Sequence, residues 1–433
     1  MVGDGTARGT VSDPGACFAA GKSLREARRL DDAVASLRQG LASQPGNLEA
    51  RRWLADTLLA QGNGLIRDRP WDAERCYREA IYVWPGYFEA ISNLGEALVE
   101  QLRVAEGLAM FRTALTLRPT DASTGFSYAV ALLLSGDLAE GWRQFESRRA
   151  MAAWHYDRRH ELPQWREGTP IDGRHLLLMA EQGIGDVIQF ARYAPLLARR
   201  GVRATLEVPG VLRPLFGAVA GAQAVIAPDD PAPGCDLACP LMSLPLLFGT
   251  SAAGIPPAPP VLQVPEGRIV QWSTWLAPHG GFRVGLVCSG DARNPKDASR
   301  SIPFAAFAPM LAMPGCRFVL LQPDLRDTDC SAVEAAPALL VPGAALRDFA
   351  DTAAIVAQLD LVIAADTGVA HLAAALGRPV WLLLPHRPDW RWMLHRCDTP
   401  WYPTVTLYRQ PRRGDWGAVI ETVRRDLALR RAA

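Results

Sequence analysis

Residues 178–193, LMAEQGIGDVIQFARY, place an acidic side chain at the mouth of a glycine turn. An apolar run ends near Ala180, the chain turns through Gly183-Ile184-Gly185, and a helix-like pattern begins at Asp186. A glycine turn between a strand and a helix is typical of open α/β sheets, which bind ligands at the carboxyl ends of their strands. This stretch therefore predicts a parallel sheet with a candidate site at Asp186.

The region that surrounds this stretch alternates short Val- and Leu-rich runs with helical segments, a pattern typical of a mostly parallel sheet. The proline-rich segment 251–267 divides it, so we predict a short Rossmann-type lobe at 175–262 and a second lobe at 268–425. A cleft between two lobes is the usual place for a ligand. The predicted strands lie near 175–180, 203–208, 223–227, 283–288, 317–322, 338–341, 360–365 and 379–384.

The first third of the chain repeats itself. Tyr77, Phe111 and Phe145 follow one another at intervals of 34 residues, and a small residue precedes each of them by four positions. A period of 34 with a small residue, an aromatic residue and a closing proline is the tetratricopeptide signature. Leu37 precedes Tyr77 by 40 residues instead, and we place the six extra residues near 62–70, between the two helices of a repeat.

This period predicts an α-solenoid of about four helical hairpins at 13–150, joined to the lobes by a connector at 151–174. Repeat arrays of this kind form extended concave binding surfaces. We interpret the array as a groove for a protein or peptide; the alternative is that the hairpins merely support the next domain.

Composition excludes several classes of partner. The 433 residues are 49% hydrophobic and 21% charged with a formal net charge of +1, so no global field attracts nucleic acid or a membrane surface. The eight cysteines contain no C-x-x-C pair, which indicates free thiols in a reduced compartment. The N-terminus lacks the apolar core of a signal peptide, and no apolar run approaches the roughly 20 residues of a membrane span. We therefore expect a cytoplasmic protein.

A second glycine junction lies in 360–385, DLVIAADTGVAHLAAALGRPVWLLLP. A strand ends at Ala365, and Asp366-Thr367-Gly368 turn into a helix that contains His371. Backbone N–H groups at such a helix start, together with the helix dipole, form an anion site. The alternative is purely structural, with Asp366 as an N-cap and His371 as a core histidine. Asp186 at the first junction also has a purely structural alternative, as a helix-capping acid. The first junction does not match a dinucleotide-binding fingerprint, because Ile188 replaces the third glycine.

Two further segments are candidate ligand contacts. The loop 289–303, SGDARNPKDASRSIP, follows a predicted strand, and its Lys296, Arg300 and Ser301 have the chemistry to bind phosphate; the alternative is a solvated loop. The segment 386–410 is rich in tryptophan and arginine. Trp390 in that segment is suited to stack on a base or sugar; the alternative is packing between the lobe and the C-terminal helix.

These segments, in this order, resemble glycosyltransferase family 9, whose best-known members are the lipopolysaccharide heptosyltransferases. Bacterial proteins in which tetratricopeptide repeats are fused to such a domain are closer still. The resemblance covers about 140–411. The strings that carry it are EQGIGDVIQFARY, CPLMSLP (239–245), RSIP (300–303), the run 348–381, DWRW and PWYP.

The resemblance implies a GT-B pair of lobes and inverting transfer of a hexosyl or heptosyl group from a nucleotide-diphosphate donor, with no required metal or other cofactor. By position, Asp186 resembles the general base that deprotonates the acceptor hydroxyl. The residues that resemble the donor-binding set are Arg300, Ser301, Asp366, Thr367, Gly368 and His371. Further candidate contacts to donor or acceptor are Gln182, Gly183, Gly185, Gln189, Lys296, Asp297 and Trp390. In such fusions the acceptor recruited by the repeats is a glycan or a protein hydroxyl, for example on a surface or flagellar protein.

The loop after the strand at 283–288 departs from the family pattern. It reads Gly290-Asp291-Ala292, then Asn294, then Lys296-Asp297, where the family usually has Gly-Asn-Pro, then His, then Asn-Asp. Cys288 also stands where tryptophan is common. The departures leave the donor open. They are also compatible with a rival hypothesis, in which the protein is a tetratricopeptide scaffold whose transferase-like domain is inactive.

Overall fold

A computed structural model describes residues 13–151, 161–216, 221–232, 234–257, 262–294 and 297–432. The chain forms two compact units, Met1–Leu132 with Gln144–Trp154, and Leu133–Arg143 with His155–Ala433. Lys296 and residues 152–160 of the predicted connector lie outside the described residues. None of the helices in the described ranges is both long and apolar enough to cross a membrane.

The N-terminal helices confirm the predicted tetratricopeptide-like repeats, because they follow one another as short antiparallel pairs. Their bounds are α1 Pro14–Glu26, α2 Leu30–Ser43, α3 Leu48–Leu65, α4 Pro70–Val83, α5 Phe88–Glu100, α6 Val104–Leu117, α7 Ala122–Ser135 and α8 Leu138–Phe145.

Small residues in the first helix of a pair let the second helix approach closely. A Cβ atom on Gly95 would lie 2.7 Å from Cε1 of Phe111, and one on Gly62 would lie 2.5 Å from Cε1 of Tyr77. The placement of the six extra residues between two helices was wrong. They mainly lengthen α3, which has 18 residues where α1 has 13. No proline interrupts the chain between Leu48 and Arg69, so the longer helix is allowed.

The second unit contains two fully parallel sheets, which confirms the predicted pair of Rossmann-type lobes in a GT-B-like arrangement of domains along the chain. The first sheet has the order β3-β2-β1-β4 and the second the order β6-β5-β7-β8-β9. The strands are β1 His175–Met179, β2 Arg203–Glu207, β3 Ala224–Ile226, β4 Leu237–Pro240, β5 Phe282–Val287, β6 Cys316–Leu320, β7 Leu361–Ala365, β8 Val380–Leu384 and β9 Val405–Arg409.

Helices cover these sheets, so strands such as β7 and β8 are buried along their whole length and consist of continuous apolar runs. In the second lobe, side chains from β5 and β7 share a core with Phe304, Phe307 and the last helix. The helices are α9 Ile184–Phe190, α10 Ala194–Arg199, α11 Leu244–Leu247, α12 Glu266–Leu276, α13 Asp297–Arg300, α14 Ala308–Leu311, α15 Asp327–Glu334, α16 Phe349–Val356, α17 Gly368–Ala375 and α18 Trp416–Ala432.

Three details of the strand prediction were wrong. Residues 338–341 form an isolated bridge between Leu340 and Val319 rather than a strand, because Pro337 and Pro342 flank them and proline cannot donate to a ladder. The prediction also missed β4 and β9. β4 has four residues and ends at a proline, and β9 alternates buried and exposed residues as an edge strand does.

A buried carboxylate joins α12 to α16. Asp351 is fully buried and accepts hydrogen bonds from Arg268 Nη1 (2.6 Å), Trp272 Nε1 (2.9 Å) and Arg347 N (3.1 Å). Removal of one partner from a buried ion pair leaves the other charge without compensation.

We predict that Asp351→Ala lowers the free energy of unfolding of the second unit by on the order of 3 kcal/mol, because Trp272 Nε1 loses its acceptor and Arg268 keeps only Asp348. Urea denaturation measures this change. Glu421→Ala is the control, because its ion pair with Arg424 is exposed and the loss should stay below about 1 kcal/mol. Equal small effects in both variants would contradict the prediction.

Candidate functional site

Both glycine junctions lie at points where the strand order of a sheet reverses. In the first sheet β1 lies between β2 and β4, and the turn that leaves β1 enters α9. In the second sheet β5 lies beside β7; the loop 288–303 follows β5, and residues 366–368 follow β7. Open α/β sheets bind ligands in the crevice at such points. Each lobe therefore presents its predicted site residues at its crevice.

The first turns of α9 and α17 contact each other across the two lobes. A Cβ atom on Gly185 would lie 2.7 Å from Cδ2 of His371, and one on Gly368 would lie 3.4 Å from Cγ2 of Ile184. Gly185 is thus required for this close approach. The structure brings together two junctions that are separated by about 180 residues in the sequence.

Asp186 lies in the first turn of α9, and both of its carboxylate oxygens accept hydrogen bonds. Oδ2 accepts from the backbone N–H of Gly183 at 2.7 Å, and Oδ1 accepts from Nη2 of Arg391. The carboxylate is 15% exposed. Burial raises the pKa of Asp186, while Arg391 and the Gly183 N–H oppose that shift. Asp186 therefore caps its own helix and also faces the second lobe.

Arg391, which sequence analysis missed, is the partner that connects Asp186 to the second lobe. Its side chain is 8% exposed, with Nη1 2.7 Å from Asp389 Oδ1 and Nε 2.8 Å from Gln189 Oε1. Burial lowers the pKa of Arg391, but the carboxylates of Asp186 and Asp389 outweigh it and keep that pKa above its usual value. The DWRW string contains Arg391 and could have indicated it, but the sequence prediction names only Trp390 from that string.

Gln189 and Trp390 differ from the expectation of direct ligand contacts. Gln189 is fully buried, and its side-chain oxygen accepts from Arg391. Trp390 is 4% exposed, and its ring centroid lies 5.1 Å from that of Trp142 and 6.2 Å from that of Trp401. Both side chains point into the boundary between the two lobes. Gln189 bonds Arg391 there, and Trp390 packs against other tryptophan rings.

The predicted location of the tryptophan packing was also partly wrong. Trp401 contacts Phe190 of the first lobe at 5.9 Å between ring centroids, so the cluster packs between the two lobes. Trp381, just before this segment, does meet the C-terminal helix, with its ring 5.9 Å from Arg430 Cζ.

Arg192 makes a second link between the lobes. Its Nε donates to Gln189 O at 2.7 Å, its Nη1 donates to Trp401 O at 2.9 Å, and its Cζ lies 4.8 Å from the ring centroid of Tyr402. The Tyr402 hydroxyl in turn lies 3.0 Å from Nδ1 of His371. A continuous polar path therefore runs from α9 to the histidine of the second junction.

The second junction contains a buried acid and a neutral histidine. Burial and the nearby Asp389 carboxylate raise the pKa of Asp366 to about 6, although Arg300 and Arg391 oppose the shift. Burial, helped by Arg391, lowers the pKa of His371 to about 3, so its imidazole is neutral. His371 Nε2 lies 3.9 Å from Asp366 Oδ1, beyond hydrogen-bond distance.

Thr367 is the N-cap residue of α17, and its buried hydroxyl has no hydrogen-bond partner among the described residues. A buried polar group without a partner costs about 1–3 kcal/mol. The first N–H groups of a helix also lack intrahelical acceptors. This end of α17 therefore favours an anionic or polar ligand.

The loop after β5 is organised by Asp297. Its Oδ1 accepts from Gly290 N at 2.9 Å and from Arg300 Nε at 3.3 Å, and its Oδ2 accepts from the Ser301 hydroxyl at 2.8 Å. Asp297 is buried and so fixes the loop instead of facing a ligand, which differs from its prediction as a contact. Arg300 is partly exposed and acts electrostatically on Asp366. Lys296, the neighbouring candidate, lies outside the described residues.

The turn between β1 and α9 has an unusual backbone. Gln182 is exposed and has a φ of +58°, in the left-handed region that favours glycine. Such a conformation in a non-glycine residue costs on the order of 1–3 kcal/mol and is frequent at functional sites. Glu181 beside it accepts from Met242 N at 2.8 Å, which ties the turn to the end of β4.

Family comparisons match both parts of the chain. Residues 304–388 match the family described as Glycosyltransferase family 9 (heptosyltransferase), and residues 18–64 match the tetratricopeptide repeat. A curated relative, Protein FlbA of Caulobacter vibrioides, is 28% identical over 442 residues, which cover 94% of this chain and 72% of FlbA.

Two solved glycosyltransferase structures are similar to part of the chain. A glycosyl transferase family 9 structure from Veillonella parvula is 13% identical, with a TM-score of 0.42 over 56% of this chain and 87% of that chain. The E. coli ADP-heptose lps heptosyltransferase II is 14% identical, with a TM-score of 0.40 over 60% of this chain and all of that chain.

These comparisons confirm the resemblance predicted from the sequence. Residues 18–64 are similar to tetratricopeptide repeats and residues 304–388 to glycosyltransferase family 9. The matched residues 304–388 include β7, the Asp366-Thr367-Gly368 junction and α17.

We predict that Gly185→Ala destabilises the second unit, because its Cβ collides with the His371 ring, and that His371→Ala relieves the collision. In thermal unfolding, the double variant should lose at least about 1 kcal/mol less than the sum of the two single variants. Gly267→Ala is the control, because its Cβ would meet no atom within 4 Å. Additive losses would show that α9 and α17 do not approach in this way.

Proposed function

We propose that this chain is a metal-independent inverting glycosyltransferase, which moves a sugar from a nucleotide-diphosphate donor to an acceptor hydroxyl. The observation that supports the proposal most strongly is the contact between the first turns of α9 and α17, which puts Asp186 opposite the Asp366-Thr367-Gly368 junction. An inverting transfer needs one base on the acceptor side and stabilisation of the leaving diphosphate on the other. Each lobe supplies one of the two.

The proposed reaction is a single displacement. The acceptor O–H bond breaks and its proton passes to the Asp186 carboxylate, while the acceptor oxygen forms a bond to the anomeric carbon. The bond between that carbon and the diphosphate oxygen breaks, and the diphosphate leaves with the electron pair. Because attack comes from the face opposite the leaving group, the anomeric configuration inverts.

The negative charge that develops on the diphosphate needs positive potential. The N-terminal turn of α17 offers backbone N–H groups and the positive end of its dipole. The Thr367 hydroxyl lacks a partner in the part of the chain that the structure describes, and Arg300 is close enough to act on Asp366 and His371. We assign donor binding to these groups together with Ser301, whose hydroxyl bond to Asp297 fixes the loop that contains Arg300.

We propose that the donor sugar is a hexose or heptose and that the repeat domain recruits the acceptor, a protein or a glycan. The family description names heptosyl transfer, and the repeat match supports a protein-binding surface. A cytoplasmic location fits the cysteines, because Cys17, Cys76, Cys288, Cys316, Cys330 and Cys397 are free thiols.

The rival function, a scaffold with an inactive transferase-like domain, is favoured by the altered sequence at 290–297. Asp297 nevertheless joins Gly290, Arg300 and Ser301 in one hydrogen-bonded loop. Asp186 and the 366–368 junction both keep the residue types that the transfer needs. These observations favour the active enzyme.

We predict that calorimetry with UDP, GDP, ADP and CMP detects binding of one nucleotide class, and that Thr367→Trp abolishes it by filling the end of α17. Thr274→Trp, on an exposed position of α12, is the control and should bind as the wild type does. A folded protein that binds none of the four would favour the scaffold function.

We predict further that Asp186→Asn binds that nucleotide with unchanged affinity. Its rate of nucleoside diphosphate release from the matching nucleotide sugar should fall by about 10²–10⁴-fold, the usual contribution of a general base. A variant that releases nucleoside diphosphate at the wild-type rate would rule out Asp186 as the base.

A further inference from the structure

Arg391 is a buried cation with partners on both lobes. Two of its three side-chain partners, Asp186 and Gln189, belong to α9 of the first lobe, and the third, Asp389, precedes it in its own loop. A guanidinium buried without compensation costs several kcal/mol. Its planar fork, in contrast, can bond several acceptors at once. The three acceptors around Arg391 therefore define its position closely.

The backbone around Arg391 restricts that position further. Asp389 caps the turn 390–392, because its Oδ1 accepts from Arg391 N at 3.1 Å. Met393 and His395 follow with φ values of +49° and +55°, which are rare for residues other than glycine. Such strain persists where surrounding contacts over-determine the conformation, and it is concentrated at functional sites.

The Arg391 guanidinium also stacks on an immobilised ring. Its Cζ lies 4.2 Å from the ring centroid of Trp390. Trp390 in turn packs edge-on against Trp142 and Trp401 within the second unit. The arginine is thus fixed through its nitrogens, its backbone and its planar face.

We infer that Arg391 is a positioning residue for Asp186, which fixes the carboxylate at the boundary of the lobes and maintains its charge until it receives the acceptor proton. This inference rests on the proposed role of Asp186 as the base. It assigns the arginine of the DWRW string to the acceptor side of the reaction and not to the donor phosphates.

The groups that face Asp186 explain why a cation is needed there. Burial, the Asp389 carboxylate and Glu181 raise the pKa of Asp186, and Arg391 with the Gly183 N–H lowers it. Tyr402 also acts electrostatically on this carboxylate, while its own pKa is raised to about 12 by burial, so it is uncharged. The His371 ring beside Gly185 is neutral. Without Arg391 the remaining charges would all favour the protonated acid, which cannot act as a base.

Gln189 contributes a second contact to the same arrangement. Its Oε1 accepts from Arg391 Nε, and its buried Nε2 has no hydrogen-bond partner within the described ranges. Among the described residues, Arg391 is therefore the side chain that orients the Gln189 amide. This contact maintains the distance between the guanidinium and α9 without adding a charge.

The test is a titration of Asp186 in the full chain by ¹³C NMR of labelled aspartate carboxyls, with the resonance identified by its absence in Asp186→Asn. Removal of an opposite charge favours the protonated form, so the titration midpoint should rise in Arg391→Gln by about 1–3 pH units. Arg391→Lys, which retains the charge, should stay close to the wild type. An unchanged midpoint in a folded Arg391→Gln overturns the inference.

Two further results separate this inference from the proposed function. If Asp186→Asn releases nucleoside diphosphate from its nucleotide sugar as fast as the wild type, then the proposed base is wrong, whatever the titration gives. If Asp186→Asn is inactive and the midpoint does not move in Arg391→Gln, the positioning role alone is wrong.

A second variant keeps the inference testable if Arg391→Gln does not fold. Gln189→Leu removes one of the three acceptors of Arg391 and keeps both charges. Because the carboxylate is then less firmly placed, we expect kcat for nucleotide-sugar turnover to fall about tenfold with KM little changed. A wild-type kcat in the folded variant overturns the positioning role.

Discussion

The close approach of two helix N-termini determines most of this site. Gly185 on α9 and His371 on α17 are so near that any side chain at Gly185 would meet the imidazole. That approach brings Asp186 to the second lobe, where Arg391 meets it. Asp186 of the first lobe and the N-terminal turn of α17 in the second lobe are thereby brought together.

The electrostatics of the site follow from this packing. Burial opposes every charge at the boundary, so Asp186 and Asp366 have raised pKa values and His371 has a lowered one. Arg391 opposes the effect of burial on the pKa of Asp186 and of Asp366. It keeps its own charge because the carboxylates of Asp186 and Asp389 face it. Arg391 favours the charged form of Asp186, and burial keeps His371 neutral. Both effects act in a buried region, where electrostatic interactions are stronger than in solvent.

Local features of the site were predictable from sequence because they depend on neighbours in the chain. The glycine turns mark where strands pass to helices, and the 34-residue period marks the repeats; both predictions were confirmed. The contacts across the boundary were not predictable in this way. Asp186 and Arg391 are 205 residues apart, and Arg192 and Trp401 are 209 apart, so no local pattern relates them.

Polar residues near a predicted site were also difficult to classify from sequence. Gln189 and Asp297 have the chemistry of ligand contacts, but the fold turns each of them inward to support an arginine. Which way a side chain points at a lobe boundary depends on tertiary packing that local propensity does not encode. Arg391 was overlooked for the related reason that its importance arises entirely from its distant partners.

The most direct test of the account is a crystal structure of the chain with the nucleoside diphosphate that calorimetry selects. The account predicts the β-phosphate within hydrogen-bond distance of the Thr367 hydroxyl and the first N–H groups of α17, with Asp186 facing it from the first lobe. A diphosphate bound at the turn between β1 and α9, or away from both junctions, would contradict the claim that the two junctions form one transferase site.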